Sequence, residues 1–115
     1  MSFIEGQGVL GRIMFIDGTM PEYDRTYLVV TVTNDYIEVL NVSSIRSKER
    51  KLAFPTNVRI NNYNPPFKFP SFVKLDSLKK VYQDEWGNLQ ILNNGRSLDS
   101  NELNKIKSLL DNFKQ

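Results

Sequence analysis

Residues 26–33, TYLVVTVT, constrain the fold more than any other stretch, because such a density of β-branched and aliphatic side chains suits a buried strand. Asn34-Asp35 then reads as a short turn, and YIEVLNVS at 36–43 returns as an antiparallel partner. Upstream, VLGRIMFID at 9–17 alternates, with Val9, Gly11, Ile13 and Phe15 on one side, and completes a three-stranded meander. Downstream, FPTNVRI at 54–60 predicts a fourth strand that Pro55 confines to its beginning. SFVKLDSLKKVYQ at 71–83 predicts a fifth that continues or restarts, WGN at 86–88 a turn, and LQILNN at 89–94 a hairpin partner. A polar loop at 18–24, a basic linker at 44–52 and a proline-rich loop at 61–70 separate these segments.

The last fifth of the chain changes period. Asp99 followed by Glu102 reads as a helix N-cap with its capping-box partner, preceded by Leu98 as a hydrophobic staple. Leu103, Ile106, Leu110 and Phe113 then share one helical face, widened by Leu109. The expected architecture is one domain over residues 1–115, mainly β with α: a small antiparallel barrel at about 8–94, partly covered by an amphipathic helix at about 99–113. Trp86 at its turn tip reads as a cover for that helix, with a partner-binding anchor as the other reading.

The inventory of reactive groups is short. With no histidine and no cysteine, a Cys/His zinc site, a Ser-His-Asp triad and a Cys-His pair are all excluded. Residues 6–11, GQGVLG, match G-x-G-x-x-G formally, yet they precede a strand instead of following one and opening a helix. Asp84 and Glu85 are adjacent, so in a strand they point to opposite faces and make a poor acid–base pair. No segment resembles a membrane span or a signal peptide, and a cytoplasmic location is expected. The net charge of +2 conceals a gradient: residues 46–80 hold nine basic and two acidic side chains, against two basic and six acidic in residues 1–45. Such a cluster either attracts polyanions or forms a solvated face.

The order of segments resembles the MazF/PemK (Kid) toxins of bacterial type II toxin–antitoxin systems. The likeness is carried by GRIMFID, by Arg25 just before YLVV, by IEVLNVSS, by FPTNVRI and by SFVKLDSLKKV, covering roughly residues 8–81. It implies an SH3-like barrel with a terminal helix, a homodimer, and a sequence-specific endoribonuclease that cuts single-stranded RNA without a metal or other cofactor. A cognate antitoxin protein would neutralise it through a disordered segment that folds on binding.

The resemblance also implies site residues. Arg25 would be catalytic and Ser43 would assist, with Ser44 as a neighbour able to take that role. RNA supplies its own nucleophile, the 2′-hydroxyl, so the protein needs to position it in line and neutralise charge on the phosphorane. A planar guanidinium can bridge two phosphate oxygens and stays charged throughout. The products would be a 2′,3′-cyclic phosphate and a 5′-hydroxyl. Arg46, Lys48, Arg50 and Lys51 would hold the RNA backbone. In NNYNPPFKFP at 61–70, Asn62, Tyr63 and Lys68 would meet bases, unless the loop is plain surface with Phe67 and Phe69 packed inward.

Three departures from that pattern stand out. The usual Arg-Pro becomes Arg25-Thr26, the usual threonine becomes Ser43, and residues 82–97 insert what reads as a hairpin. Two other functions fit the same barrel: a gyrase poison of the CcdB type, and a nucleic-acid-binding adaptor that does not cleave.

Overall fold

The computed structural model describes residues 2–15 and 17–115. Its centre is the expected hairpin: β2 (Arg25–Val32) pairs antiparallel with β3 (Tyr36–Ser44), β2 starting and ending one residue earlier than the anticipated 26–33 and β3 running one residue past the anticipated 43. Thr33 fixes the turn, its Oγ1 donating to the Tyr36 carbonyl at 2.9 Å and accepting from the Tyr36 N–H at 3.0 Å. The register runs Thr26↔Val42 to Val29↔Val39, shifts at a bulge, and resumes at Thr31↔Glu38.

The apolar run in β2 has a direct cause, since both faces of this hairpin are covered. Leu28, Val30, Leu40 and Val42 belong to a cluster on the helix side, while Tyr27, Val29, Ile37 and Val39 belong to a second cluster on the other side. Each fully buried aliphatic side chain contributes roughly 1.5–3 kcal/mol relative to exposure, so a polar residue in either set would be costly.

Around the hairpin stand β1 (Gly8–Gly11), β4 (Asn57–Ile60), β5 (Ser71–Lys74), β6 (Lys79–Tyr82) and β7 (Leu89–Ile91). The result is a seven-stranded antiparallel sheet of order β4-β5-β3-β2-β1-β7, with β6 paired to β3. The fifth predicted strand does restart: β5 takes the second half of β3, β6 the first, and a 3-10 turn at Leu75–Ser77 separates them. At the break Ser77 Oγ accepts from the Asn41 N–H at 2.8 Å and donates to the Lys74 carbonyl at 2.6 Å. The break therefore leaves no unpaired donor at Asn41.

Several expectations are corrected. The first strand ends at Gly11, not residue 17, although Ile13 is buried as Val9 and Gly11 are; Ile16 lies outside the described residues. The fourth begins at Asn57, after a turn in which the Asn57 N–H reaches the Phe54 carbonyl. Residues 89–91 do not return on β6. A 3-10 segment at Gln83–Asn88 carries the chain across, and β7 pairs with β1. Glycine at position 11 permits this docking, because a Cβ there would sit 2.3 Å from the Asn88 carbonyl oxygen. Trp86 covers the cluster remote from the helix: its ring meets Phe3 edge-on at 5.1 Å and its Nε1 donates to the Val81 carbonyl at 2.9 Å.

The helix α1 spans Ser100–Lys114, with Asp99 accepting from the Glu102 N–H at 3.1 Å. Leu98, Leu103, Ile106 and Leu110 are buried on the helix-side cluster, whereas Phe113 is exposed. The reciprocal half of the capping box is not made. The Glu102 carboxylate instead accepts from the Asn61 N–H at 3.0 Å and faces Lys105 at 3.5 Å.

Candidate functional site

Continuing the β2–β3 register by one residue beyond Thr26↔Val42 sets Arg25 opposite Ser43. Directly opposed residues share a face, so both side chains project from the side of the sheet away from α1. Ser43 pairs onward with Phe72, and Phe72 with Arg59, which extends the row. In the adjacent row stand Tyr27 and its partner Asn41, next to which the same register brings Lys74.

Arg25 is held by aromatic rings. Its guanidinium carbon lies 5.2 Å from the Tyr23 ring centroid and 5.5 Å from that of Phe15, and the Lys79 ammonium lies 4.7 Å from the Phe15 centroid. The Phe15 ring thus faces two cations, which lets like charges approach more closely than they would across open solvent. Asp24 takes no part, because it pairs with Arg12 at 3.6 Å. Among the described residues the ion pairs are Arg12–Asp24, Lys105–Glu102 and Lys107–Glu5, and none engages Arg25. Arg25 Nε is buried without a hydrogen-bond partner, which is a donor in want of an acceptor.

The surrounding charge is positive. Burial lowers the Lys74 pKa from the ordinary lysine value, and Lys51, Lys48 and Arg25 push it the same way, with Asp76 opposing. Burial also lowers that of Lys79, reinforced by Arg25 and opposed by Glu85 and Asp17. The Tyr27 phenol is raised by burial, against the pull of Arg25. An anion between Arg25 and Lys74 would relieve these repulsions, and a phosphodiester has the matching charge and acceptors.

The residues predicted from sequence fall into two groups. Arg25 and Ser43 share a row, and Lys48 and Lys51 lie within electrostatic reach of Lys74 beside them. Ser44 points to the other face, where its Oγ accepts from the Arg46 N–H at 3.2 Å and it lines a cavity with Lys68. It therefore cannot substitute for Ser43 at Arg25. Arg46 stacks on Phe69 at 5.2 Å, and Phe69 lines that cavity although Arg46 does not, while Tyr63 packs against the helix-side cluster. Arg50 and Asn62 are exposed on the 3-10 turn at Glu49–Ala53 and the turn after β4. Phe67 is buried, as the plain-surface reading of its loop required, but Phe69 is exposed.

Lys74, Lys79, Phe15 and Tyr23 were not anticipated. For Lys74 a signal existed: in SFVKLD, alternation from Phe72 turns position 74 to the face of Ser43. The two aromatics come from the segment between β1 and β2, whose path follows no periodicity. Comparison with protein-family profiles gives no match, and comparison with curated proteins gives none of significance.

Proposed function

We propose that the chain is a sequence-specific, metal-independent endoribonuclease of the MazF/PemK (Kid) type, on an SH3-like barrel, cutting single-stranded RNA through its own 2′-hydroxyl. The carrying observation is Arg25: a guanidinium that lies beside aromatic rings, stands opposite a hydroxyl and is engaged by no carboxylate among the described residues. In this reading Arg25 binds the scissile phosphate and stabilises charge as the phosphorane forms. Ser43 donates a further hydrogen bond to the same oxygens. Lys74, Lys48 and Lys51 hold neighbouring phosphates, and Tyr23 and Phe15 orient the guanidinium. The protein acts as a cytoplasmic homodimer and is neutralised by an antitoxin whose disordered segment folds across the cationic face.

The test is incubation of the purified protein with a long single-stranded RNA in EDTA, with the ends mapped. The reading expects cuts at a recurrent short sequence, cyclic phosphate and 5′-hydroxyl ends, and a loss on the order of 10² to 10³ in rate for Arg25→Ala or Ser43→Ala. Salt-dependent binding without cleavage would replace it with the adaptor reading. Inhibition of gyrase that survives both substitutions would replace it with the gyrase-poison reading.

A further inference from the structure

A cavity of about 510 Å³ opens on the helix side of the sheet, and the chemistry at Arg25 leaves it unused. Thr26 and Ser44 line it, the chain neighbours of Arg25 and Ser43 turned to the other face. One wall is the 61–70 loop, and Gly8 lets that wall approach: a Cβ there would stand 2.9 Å from Phe67 Cε1 and 3.1 Å from Pro66 Cγ. The rim is Asn93, first of three consecutive left-handed residues, with φ of 51° at Asn93, 53° at Asn94 and 81° at Gly95. Two non-glycine residues held there store strain of a kind that concentrates at ligand sites, and asparagine bears it best. The turn is fixed in place, with the Gly95 N–H on the Leu92 carbonyl at 3.0 Å and Gln7 Nε2 on the Gly95 carbonyl at 3.1 Å.

The lining chemistry selects a class of ligand. It offers the Phe69 ring, which already carries the Arg46 guanidinium at 5.2 Å, together with hydroxyls, the amides of Asn64 and Asn93, and one ammonium from Lys68, with no carboxylate. Ser44 Oγ, already accepting from the Arg46 N–H, keeps its own proton to donate. Lys68 is the one charged residue in the lining and is exposed, which by itself makes a weak phosphate site, and so many polar groups would penalise a purely apolar guest. A flat heterocycle with donors and acceptors on its edge satisfies both the ring and the amides.

We propose that this cavity is a nucleobase subsite, which takes one unstacked base of the RNA chain and reads its edge through the Asn93 amide and the Ser44 hydroxyl. The identity of the polymer rests on the nuclease reading, whereas recognition of the base does not. Asn93 belongs to the 82–97 segment that departs from the MazF/PemK pattern, so base preference here is a property of this chain's own insertion.

The experiment is a backbone-amide NMR titration of the full chain with adenosine, guanosine, cytidine and uridine, which carry a base and no phosphate. The expected result is a set of shifts at Thr26, Ser44, Phe69, Ser71 and Asn93, stronger for one nucleoside than for the others. Asn93→Gly keeps the left-handed backbone and removes the amide, and it should weaken that nucleoside about fivefold, the worth of one hydrogen bond. With RNA as substrate, the same variant should broaden the cleavage pattern. No shift with any nucleoside, or equal shifts scattered over the surface, would overturn the proposal. Selective shifts in a protein that cuts no RNA would leave the subsite standing and remove the nuclease. Cleavage with an unaltered pattern in Asn93→Gly and no nucleoside binding would do the reverse.

Discussion

The Arg25 guanidinium lies 5.2 Å over the Tyr23 ring, while the intervening residue, Asp24, turns to Arg12. An aromatic partner orients a cation without occupying its N–H groups, which a carboxylate would do. Tyr23→Ala should therefore lower the single-turnover cleavage rate about two- to fivefold, as expected for loss of an exposed cation–π contact of roughly 0.5–1 kcal/mol. Tyr23→Phe should retain most of the rate. Equal losses in the two variants would point to the phenolic hydroxyl instead of the ring.

Ser43 and Ser44 separate by face. Ser43→Ala should act on kcat, because its hydroxyl stands across from Arg25. Ser44→Ala should act on KM and on sequence preference, through the helix-side cavity. Steady-state kinetics on a defined oligonucleotide separates the two effects, and a kcat loss confined to Ser44→Ala would invert the assignment.

Much of this arrangement was legible from the chain. The β2–β3 hairpin could be read because β-branched density, a two-residue turn and a return strand agree, and α1 because its cap and period agree. Pairing of β7 was not legible. Residues 89–91 suit any antiparallel neighbour, and what selects β1 is the bare backbone at Gly11 and the 3-10 passage through Trp86. The candidate site divides the same way. Arg25 and Ser43 were implied by the family resemblance, and the strand register sets them opposite each other, but the rings beside Arg25 come from an irregular segment that only tertiary packing positions. The side-chain role of Glu102 likewise escapes local rules, because its acceptor duty is to Asn61, far away in the chain.

Lys74 should impose a pH dependence. Its folded pKa lies below its unfolded value, so between the two the unfolded chain binds more protons and stability rises with pH. On the proposed function RNA affinity should run the other way, since a phosphate would lose its attraction to Lys74 as that group deprotonates, at a pH below the ordinary lysine value of about 10.4. Lys74→Arg stays charged and should flatten that decline in a fluorescence-anisotropy titration across alkaline pH. An unchanged slope in the variant would exclude Lys74 from the RNA contact.

Asp99 and Glu102 should behave as separate contributors to stability. Asp99→Ala removes the N-cap and should cost about 1 kcal/mol. Glu102→Ala orphans the Asn61 N–H and should cost roughly 1–3 kcal/mol. A reciprocal capping box would make the two losses strongly coupled. The observed partners predict that urea-melt values add to within about 0.5 kcal/mol in the double variant.

The central claim is that RNA is cut by its own 2′-hydroxyl at Arg25. Its most direct test uses an oligonucleotide containing the mapped cleavage sequence, compared with one carrying a single 2′-deoxy nucleotide at the cut, both in EDTA. The account predicts that the deoxy substitution abolishes cleavage while binding persists, and that Arg25→Ala leaves even the all-ribose strand intact. Cleavage of the deoxy strand, or full activity in Arg25→Ala, would contradict it.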